Sequence, residues 1–406
     1  MRFNGIRAAR AHIIKFCAAL FCLATLQSCA KAEPSTIEQV TAALCDKTIV
    51  LLGEGGEHGE GTTTIFKGGL IKNLIETCGF NAVLFESNTY EFADIRARRS
   101  AGEIITKERL GAAIGGLWAN DQQFQPVLET LTKTLNAGRI TMGGLDDRLS
   151  GRGQTYANDE LIPELTANLP AKLRDTCRNS FRKRIYSDVP TEAPYSEQVR
   201  SELQTCLASI SAAPPMRQDI PLVDFSTADL VASLQRWLSR DFLSWREANA
   251  GRDASMYENF AAFQARPPAD QKVIIWTATV HAAKSARNIP SFSEGPNLGE
   301  LLMQGAAREP AQRTPFVLGF SSRAGSIRMP GGKIHELEIA APDSLEAQAF
   351  AGSNRESLFA DSQQLKNFGA VEARVLSRKA DVRHWHELVD GVVVFRQQTP
   401  AIVERP

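Results

Sequence analysis

Short apolar runs alternate along the chain with segments whose apolar residues recur every three or four positions. Runs of this kind that end at glycine or at a polar residue are typical of strands buried on both faces of a parallel sheet. The periodic segments are typical of helices that pack against such a sheet. The pattern predicts strands at residues 48–52, 82–85, 140–145, 272–276, 315–320 and 391–395, and helices at residues 35–45, 62–77, 121–136 and 230–265.

This alternation of strands and helices predicts an α/β fold with a mainly parallel central sheet flanked by helices. The main domain should cover residues 36–400, after a short linker at 29–35. Between about 147 and 224 prolines are frequent and the periodicity weakens, so we expect an inserted helical subdomain there. Within the last long helical segment, Arg252-Asp253 has the character of a helix start.

The first 28 residues have the features of a secretory signal peptide. A basic stretch ending at Lys15 precedes an apolar run, residues 16–26, which is too short to span a bilayer as a helix. Leu26-Gln27-Ser28-Cys29 resembles a bacterial lipobox, which predicts lipid attachment at Cys29. The alternative is ordinary cleavage after Ala32. In both cases we expect a protein of the bacterial cell envelope, lipid-anchored or periplasmic, whose membrane contact is the N-terminal lipid.

Export to an oxidising compartment makes the four cysteines that follow Cys29 candidates for disulfide bonds. Cys45 and Cys78 each lie just before a predicted strand, so both should lie at the same edge of a parallel sheet. We therefore predict a Cys45–Cys78 bond, which leaves Cys177 and Cys206 to pair in the middle region.

Charge argues against one class of partner. The chain has 46 basic and 46 acidic residues, but the leader contains four bases and no acid, so the remainder carries 42 bases against 46 acids, a net charge of −4. A mildly acidic chain without a basic run is a poor nucleic-acid binder. The sequence leaves the oligomeric state open.

The densest group of chemically active residues follows the first predicted strand, at residues 53–61, Gly-Glu-Gly-Gly-Glu-His-Gly-Glu-Gly. It lacks the last glycine of a dinucleotide-binding loop and the Gly-Lys-Ser/Thr of a P-loop, and its glutamates would repel phosphate. A histidine beside carboxylates can instead take a proton from water near neutral pH. Glu54, Glu57 and His58 therefore predict acid–base chemistry at this loop.

Three further candidates should reach the same crevice, because ligands bind at the carboxyl ends of parallel strands. Glu86 follows the second strand, and His281 follows the strand at 272–276. Lys67 lies on the helix that leaves the loop, where it could hold a developing oxyanion.

The order of these features resembles that of the erythromycin esterase family. The family's Gly-Glu-Ala-Thr-His-Gly motif corresponds to Gly53-Glu54 with His58-Gly59, and its Gly-Phe-x-x-Val-x-x-Glu motif corresponds to residues 79–86. The resemblance covers roughly residues 36–400 in consistent order. Further similar positions are Trp118, Gly144-Leu145-Asp146, Arg252-Asp253, Met256, Glu258-Asn259, Trp276 to His281, Ala341-Pro342 with Ser344-Leu345, and Asp390-Gly391.

The resemblance implies a hydrolase that cleaves a small-molecule ester by activating water, without a cofactor. In such an enzyme His58 would be the general base, and Glu54 and Glu86 would orient its ring and tune its pKa. His281 and Lys67 would stabilise the oxyanion. The remaining substrate contacts would come from Asp146 and Glu57. A macrolide lactone, and hence macrolide resistance, is the substrate that the family suggests.

Two departures from the family pattern leave alternatives open. One extra residue separates the glutamate from the histidine of the first motif, so Glu54 or Glu57 can fill the glutamate's place. Ala278 and Thr279 stand where the family has histidine and asparagine. A catalytically silent envelope lipoprotein that binds a ligand or partner in the same cleft is therefore the first alternative. A metal-assisted hydrolase is the second, since converging glutamates and histidines also suit a divalent ion.

Outside the crevice the sequence offers little chemistry. His384 and His386 are two residues apart and would share one face of a strand, but without a third ligand nearby we predict no metal site. His335 lies in an alternating segment and is expected at the surface. The chain has neither Gly-x-Ser-x-Gly nor His-Glu-x-x-His, so serine-hydrolase and zincin chemistry lack their usual signals.

Overall fold

The structure, a computed structural model, describes residues 33–149, 155–186, 197–213, 227–241, 245–265, 271–285, 289, 295–308 and 314–403. The expected signal peptide and Cys29 lie outside the described residues, as do parts of the predicted insertion. The elements described below belong to one compact unit that begins at Thr36.

A seven-stranded sheet forms the centre of this unit. The described strands are β1 Ile49–Leu52, β2 Ala82–Asn88, β3 Thr141–Asp146, β4 Val273–Trp276, β5 Phe316–Ser322, β6 Gly325–Arg328, β7 Ile334–Leu337, β8 Ser357–Asp361, β9 Ala370–Ala373, β10 Asp381–His384 and β11 Gly391–Phe395. The order in the seven-stranded sheet is β3-β2-β4-β1-β5-β11-β8; the first six of these strands are parallel and β8 is antiparallel to β11. Strands β6 and β7 form a separate antiparallel pair, as do β9 and β10. The mainly parallel α/β architecture predicted from the sequence is thereby confirmed.

Helices cover both faces of the sheet and form a further layer beside it. The described α-helices are α1 Thr36–Leu44, α2 Gly61–Cys78, α3 Thr89–Ser100, α4 Lys107–Ile114, α5 Gly116–Ala119, α6 Gln125–Asn136, α7 Leu161–Leu165, α8 Ala171–Tyr186, α9 Glu197–Ala212, α10 Thr227–Asp241, α11 Trp245–Gln264, α12 Thr279–Ala282, α13 Leu298–Arg308, α14 Leu345–Ala349 and α15 Ser362–Phe368. Single 3₁₀ turns lie at Gln122–Phe124 and Trp385–Glu387, and a π-helical turn lies at Tyr156–Glu160.

Successive residues of the buried strands pack against opposite faces, as the period of two requires. Val50 and Leu52 of β1 belong to the core formed with α1, α2, α4 and α6, whereas Ile49 and Leu51 belong to the core formed with α11, α13 and α15. The neighbouring strands β1 and β4 are therefore followed by helices on opposite faces of the sheet. Such a switch point opens a crevice at the carboxyl ends of the strands, where ligands bind in open α/β sheets.

The helices between β3 and β4 have an apolar core of their own. It includes Leu161, Phe181, Leu203 and Leu234, and it continues into α10, beyond the predicted end of the insertion at 224. This layer is joined to the sheet by a buried ion pair between Arg240 and Asp147, the residue after β3.

The predicted helix start at Arg252-Asp253 was wrong. The segment 230–265 forms two helices, α10 and α11, and Arg252-Asp253 lies inside α11 rather than at a helix start. Neither residue caps α11: Arg252 binds carboxylates at the carboxyl ends of β2 and β3, and Asp253 binds His281 and the Leu298 amide at the start of α13.

Two disulfide bonds confirm the predicted cysteine pairing. Cys45–Cys78 joins the ends of α1 and α2 with a Cα–Cα distance of 4.9 Å, and Cys177–Cys206 joins α8 and α9 at 5.5 Å. The Lys272 ammonium lies between the first pair and donates to the carbonyl oxygens of Cys45 and Cys78, both at 2.7 Å. Within the described residues, no helix is long and apolar enough to cross a membrane.

Candidate active site

The loop after β1 has a strained backbone at its centre. His58 adopts φ = 54°, a left-handed conformation that a residue with a Cβ enters only at an energetic cost. The next residue, Gly59, lies against the carbonyl group of Arg328 at the end of β6, and a Cβ at position 59 would overlap that oxygen. The Arg328 amide donates to the Gly59 carbonyl oxygen at 2.9 Å, so the β6–β7 hairpin fixes the loop beside His58.

The Glu54 carboxylate is held by four donors. His58 Nδ1 lies 2.7 Å from Oε1, which also accepts from the Trp118 indole at 2.8 Å. Oε2 accepts from Lys67 Nζ at 2.8 Å and from the Trp276 indole at 2.9 Å. Because Glu54 is almost fully buried and each oxygen has two partners, its orientation is fixed by the fold. Nδ1 of His58 then carries its proton toward Glu54, and the lone pair is on Nε2.

The electrostatics of this pair favour an ionised glutamate beside a more basic histidine. Burial raises the pKa of Glu54, but the Lys67 ammonium and His58 outweigh it and bring the pKa below its ordinary value. Burial lowers the pKa of His58, but the hydrogen bond to Glu54 and the charges of Glu86 and Glu54 raise it above its ordinary 6.5. His58 is therefore a stronger proton acceptor than a free histidine.

Lys67 does not have the position that the sequence suggested. Its side chain is completely buried, with Nζ 2.8 Å from Glu54 and 3.9 Å from the centre of the Trp276 ring. Burial lowers the pKa of Lys67 to about 8, although the charge of Glu54 opposes this. This burial is at odds with the predicted contact of Lys67 with substrate. The ammonium instead forms an ion pair with Glu54.

Glu57, the alternative glutamate, lies apart from this arrangement. Its carboxylate accepts from the Arg378 backbone amide at 3.2 Å and pairs with the Arg378 guanidinium at 3.4 Å. Glu60, at the end of the loop, accepts from the Gly55 amide at 2.8 Å. Burial raises the pKa of Glu60 to about 7, with the charges of Glu54 and Glu57 adding to the effect. Of these glutamates, Glu54 is the one that forms a hydrogen bond with His58.

A second cluster forms around Glu86 at the end of β2. Its Oε2 accepts from the Thr277 hydroxyl at 2.8 Å and from the Ala278 amide at 2.9 Å, and its Oε1 accepts from Arg252 Nη2 at 2.8 Å. Asp146, the last residue of β3, accepts from Nε and Nη2 of the same arginine at 3.1 and 2.8 Å. The guanidinium thus joins the ends of two neighbouring strands.

Both carboxylates of this cluster are strongly acidic. Burial raises the pKa of Glu86, but the neighbouring His281 and Arg252 outweigh it and hold the pKa well below its ordinary range. Burial likewise raises the pKa of Asp146, but Arg252 and Arg148 lower it to about 2. Glu86 and Asp146 are therefore anions at every pH at which the protein would work.

His281, at the carboxyl end of β4, is held on both sides of its ring. Nδ1 lies 2.9 and 3.0 Å from the two oxygens of Asp253, and Nε2 lies 3.0 Å from Arg252 Nη1 and 3.4 Å from Glu86. Asp253 also accepts from the Leu298 amide at the start of α13, at 2.9 Å. His281 is buried, so the predicted role of direct oxyanion donor does not match its contacts.

Three residues of this site were not among the sequence candidates for chemistry. Trp118 comes from α5, and Arg252 and Asp253 come from the middle of α11. The available signal was the resemblance of Trp118 and of Arg252-Asp253, Met256 and Glu258-Asn259 to the family pattern, to which no chemical role was attached. A helix that presents charges toward the ends of strands can be recognised only when the sheet order is known.

Nothing in the described part of the chain gathers three or more histidine, cysteine, aspartate or glutamate side chains in a metal-binding arrangement. The His384 and His386 rings lie 5.9 Å apart, the first on β10 and the second in the 3₁₀ turn that follows it. His335 lies on β7, whose residues alternate between exposed and half-buried.

Comparison with solved structures shows where this fold occurs. A Bacillus cereus protein is 14% identical, with a TM-score of 0.63 and coverage of 92% of this chain and 100% of its own. A succinoglycan biosynthesis protein is 13% identical, with a TM-score of 0.65 and coverage of 92% and 94%. An erythromycin esterase variant in its open conformation is 15% identical, with a TM-score of 0.62 and coverage of 89% and 93%.

These likenesses show the fold, a mixed α/β arrangement similar to that of erythromycin esterase. No protein-family model matches the chain, and no curated relative matches it.

Proposed function

We propose that the protein is an exported hydrolase that cleaves an ester by general-base activation of water. The observation that carries this proposal is the Glu54–His58 pair. Its buried carboxylate fixes the histidine with a 2.7 Å hydrogen bond and raises its pKa. The pair lies at the switch point of the sheet, in a fold that erythromycin esterase shares. A macrolide lactone and the acyl esters of a polysaccharide are both substrates of this class.

The reaction would begin at Nε2 of His58. This atom takes a proton from water as the water oxygen bonds to the ester carbonyl carbon, which leaves a tetrahedral oxyanion. The oxyanion then re-forms the carbonyl group as the bond to the alcohol oxygen breaks, and the imidazolium returns its proton to that oxygen. The products are a carboxylic acid and an alcohol, and His58 is neutral again. Glu86 adds negative charge that stabilises the imidazolium between these steps.

The location of the protein is part of the proposal. Two disulfide bonds fit an oxidising compartment, since such bonds are rare in the cytosol. Together with the lipobox-like residues 26–29, they support a lipoprotein of the bacterial cell envelope.

Hydrolysis of a panel of esters, including macrolides, by protein lacking the leader tests the function directly. We expect turnover of at least one ester and no loss of rate with a chelator. Loss of rate with the chelator, restored by a divalent ion, would favour the metal-assisted alternative. No turnover of any ester would remove the hydrolase proposal.

One observation favours a second candidate, a ligand-binding protein without catalysis. Ala278 uses its amide to bind Glu86, and the Thr279 hydroxyl is buried without a hydrogen-bond partner, so neither replaces the imidazole and amide of the family's residues. Binding of an ester from the panel, measured by calorimetry, in the absence of turnover would support this candidate.

A further inference from the structure

We infer that Arg252 is the group that stabilises negative charge on the substrate, and that Asp253 and His281 are positioning residues that hold it in place. This inference rests on the proposed hydrolase function, which leaves the oxyanion without an assigned partner. Lys67 is covered by Glu54, and the Nδ1 proton of His281 is directed at Asp253.

The contacts of Arg252 leave one hydrogen for a ligand. A guanidinium has five N–H groups in a fixed plane. Four of them meet Asp146, Glu86 and His281: Nε and Nη2 donate to Asp146, Nη2 also donates to Glu86, and Nη1 donates to His281. Among the described residues, no acceptor is assigned to the second hydrogen of Nη1. The Arg252 side chain is 15% exposed, so part of it is accessible to a substrate.

The tautomer of His281 decides whether Nη1 is held. An arginine nitrogen is always a donor, so its 3.0 Å contact with Nε2 is a hydrogen bond only if Nε2 carries the lone pair. Asp253 accepts at 2.9 Å on the opposite side of the ring and so keeps the proton on Nδ1. The Leu298 amide in turn fixes Asp253. A chain of hydrogen bonds therefore runs from α13 through Asp253 and His281 to the guanidinium.

The location of Arg252 also suits the chemistry. Asp146 and Glu86 bind the guanidinium at the ends of β3 and β2, and the charge of Glu86 acts on His58. A fixed cation at these strand ends, bound to the carboxylate whose charge acts on His58, is suited to stabilise a developing oxyanion. The two bound carboxylates hold the arginine rigidly and lower its net attraction for anions in the ground state.

The first test is hydrolysis of 4-nitrophenyl acetate, or of the best ester from the panel, by substituted proteins. Removal of one oxyanion donor typically costs about 10²–10³ in kcat. We therefore expect Arg252→Gln to lose a factor of that order in kcat with little change in KM, and Arg252→Lys to recover part of it. Full activity of Arg252→Gln would overturn the inference. The exposed Glu258→Gln on the same helix is the matched control and should behave as wild type.

The positioning roles predict non-additive effects. Asp253→Asn keeps an oxygen for the Leu298 amide but can present an N–H to Nδ1, which favours the wrong tautomer. We expect Asp253→Asn and His281→Gln each to lower kcat about tenfold, and the double variant to be no worse than His281→Gln alone. Losses that multiply in the double variant would show that Asp253 does not act through His281.

Two measurements do not depend on turnover and so separate this inference from the proposed function. Nitrogen-15 NMR of histidine should show His281 protonated at Nδ1 in the wild type and shifted toward Nε2 in Asp253→Asn; an unchanged tautomer would refute the positioning role. Phenylphosphonate, a tetrahedral anion, should bind the wild type and lose at least tenfold in affinity with Arg252→Gln. Equal binding by both proteins would refute the anion-binding role even if no ester is hydrolysed.

Discussion

Glu54 shows how one side chain can organise a site that lies far apart in sequence. Its carboxylate accepts hydrogen bonds from a histidine of its own loop, a lysine of α2 and the indoles of two tryptophans, on α5 and β4. A buried carboxylate is costly unless donors satisfy it, and here all of the donors come from elements fixed by the core. The position of the His58 ring is therefore set by packing, although its backbone is strained.

Glu60 leads to a stability prediction at the scale of one residue. Its carboxyl group takes up a proton more readily in the folded protein, with a pKa of about 7 against an ordinary 4.5. The folded state then binds more protons than the unfolded state between these values, so this group lowers stability as the pH rises from about 4.5 to 7 and stays unfavourable above it. Neutral glutamine avoids this cost and still accepts from the Gly55 amide.

Glu60→Gln should therefore raise the free energy of unfolding by about 1–3 kcal/mol at pH 8, and by little at pH 5. The lower part of this range allows for the partial exposure of the side chain. Urea unfolding at the two pH values measures the difference, with Glu258→Gln as control. An equal gain at both pH values would mean that the charge of Glu60 is not the cause.

The candidate residues of the site were largely foreseeable, and their partners were not. His58, Glu54, Glu86 and His281 each follow a predicted parallel strand, so the topology alone places them at one edge of the sheet. The order β3-β2-β4 cannot be derived from the sequence, and this order places Asp146, Glu86 and His281 side by side, where Arg252 contacts all three. Burial of Lys67 could have been predicted, because Leu70, Ile71 and Leu74 follow it at the spacing of one helix face and are all buried.

At the scale of elements, the parallel strands buried on both faces were easier to predict than the shorter strands between residues 325 and 384. β1 and β4 are buried on both faces, so each reads as a continuous apolar run that ends where the strand ends. The helices α10 and α11 carry apolar residues at similar spacing and were predicted as one segment, because three residues between them, 242–244, bear no glycine or proline. Arg252 and Asp253 lie inside α11 and bind residues of the site, and their polar character was wrongly interpreted as a helix start.

At this scale we predict how much each disulfide bond contributes to stability. Cys45–Cys78 and Cys177–Cys206 close loops with separations of 33 and 29 residues, for which loop-closure entropy suggests about 3 kcal/mol of stabilisation each. Replacing either pair with alanine should lower the free energy of unfolding by about this amount, as measured by urea denaturation. Reducing agent should destabilise the wild type and should have less effect on each double variant.

Thiol labelling provides the corresponding control. The denatured, unreduced protein lacking the leader and Cys29 should show no free thiol. Full reaction of all four cysteines would contradict both the pairing and the oxidising compartment that it implies.

At the scale of the whole molecule, the helical layer after β3 contacts the sheet next to the candidate active site. Asp146 binds Arg252 at the site, while Asp147, the next residue, binds Arg240 of α10 and Ser255 of α11. Two successive carboxylates thus connect the crevice and the helical layer. This layer has an apolar core of its own, so its sequence pattern predicted helices but not how they pack.

Attachment to the membrane is the prediction for the complete chain. If the lipobox-like residues act as such, the mature protein begins at Cys29, carries lipid and partitions with membranes. Cys29→Ala should abolish this partitioning. Mass spectrometry of the exported protein decides the matter, because an unmodified chain that begins at Glu33 would support cleavage after Ala32 and reject lipidation.

The central claim is that His58 is the general base, and the most direct test is the ratio of kcat/KM for wild type and His58→Asn on an ester found in the panel. Asparagine tolerates the left-handed backbone at this position, so the fold should persist while the proton acceptor is lost. The exposed His384→Asn is the control, and Glu86→Gln should lose less than His58→Asn, because it removes charge but keeps shape.

We predict a loss of about 10²–10⁴ for His58→Asn, the range for general-base catalysis. Wild-type kcat/KM should rise with pH through a pKa above 6.5, because only neutral His58 accepts a proton and its pKa is raised in the folded protein. Full activity of a folded His58→Asn protein would contradict the claim.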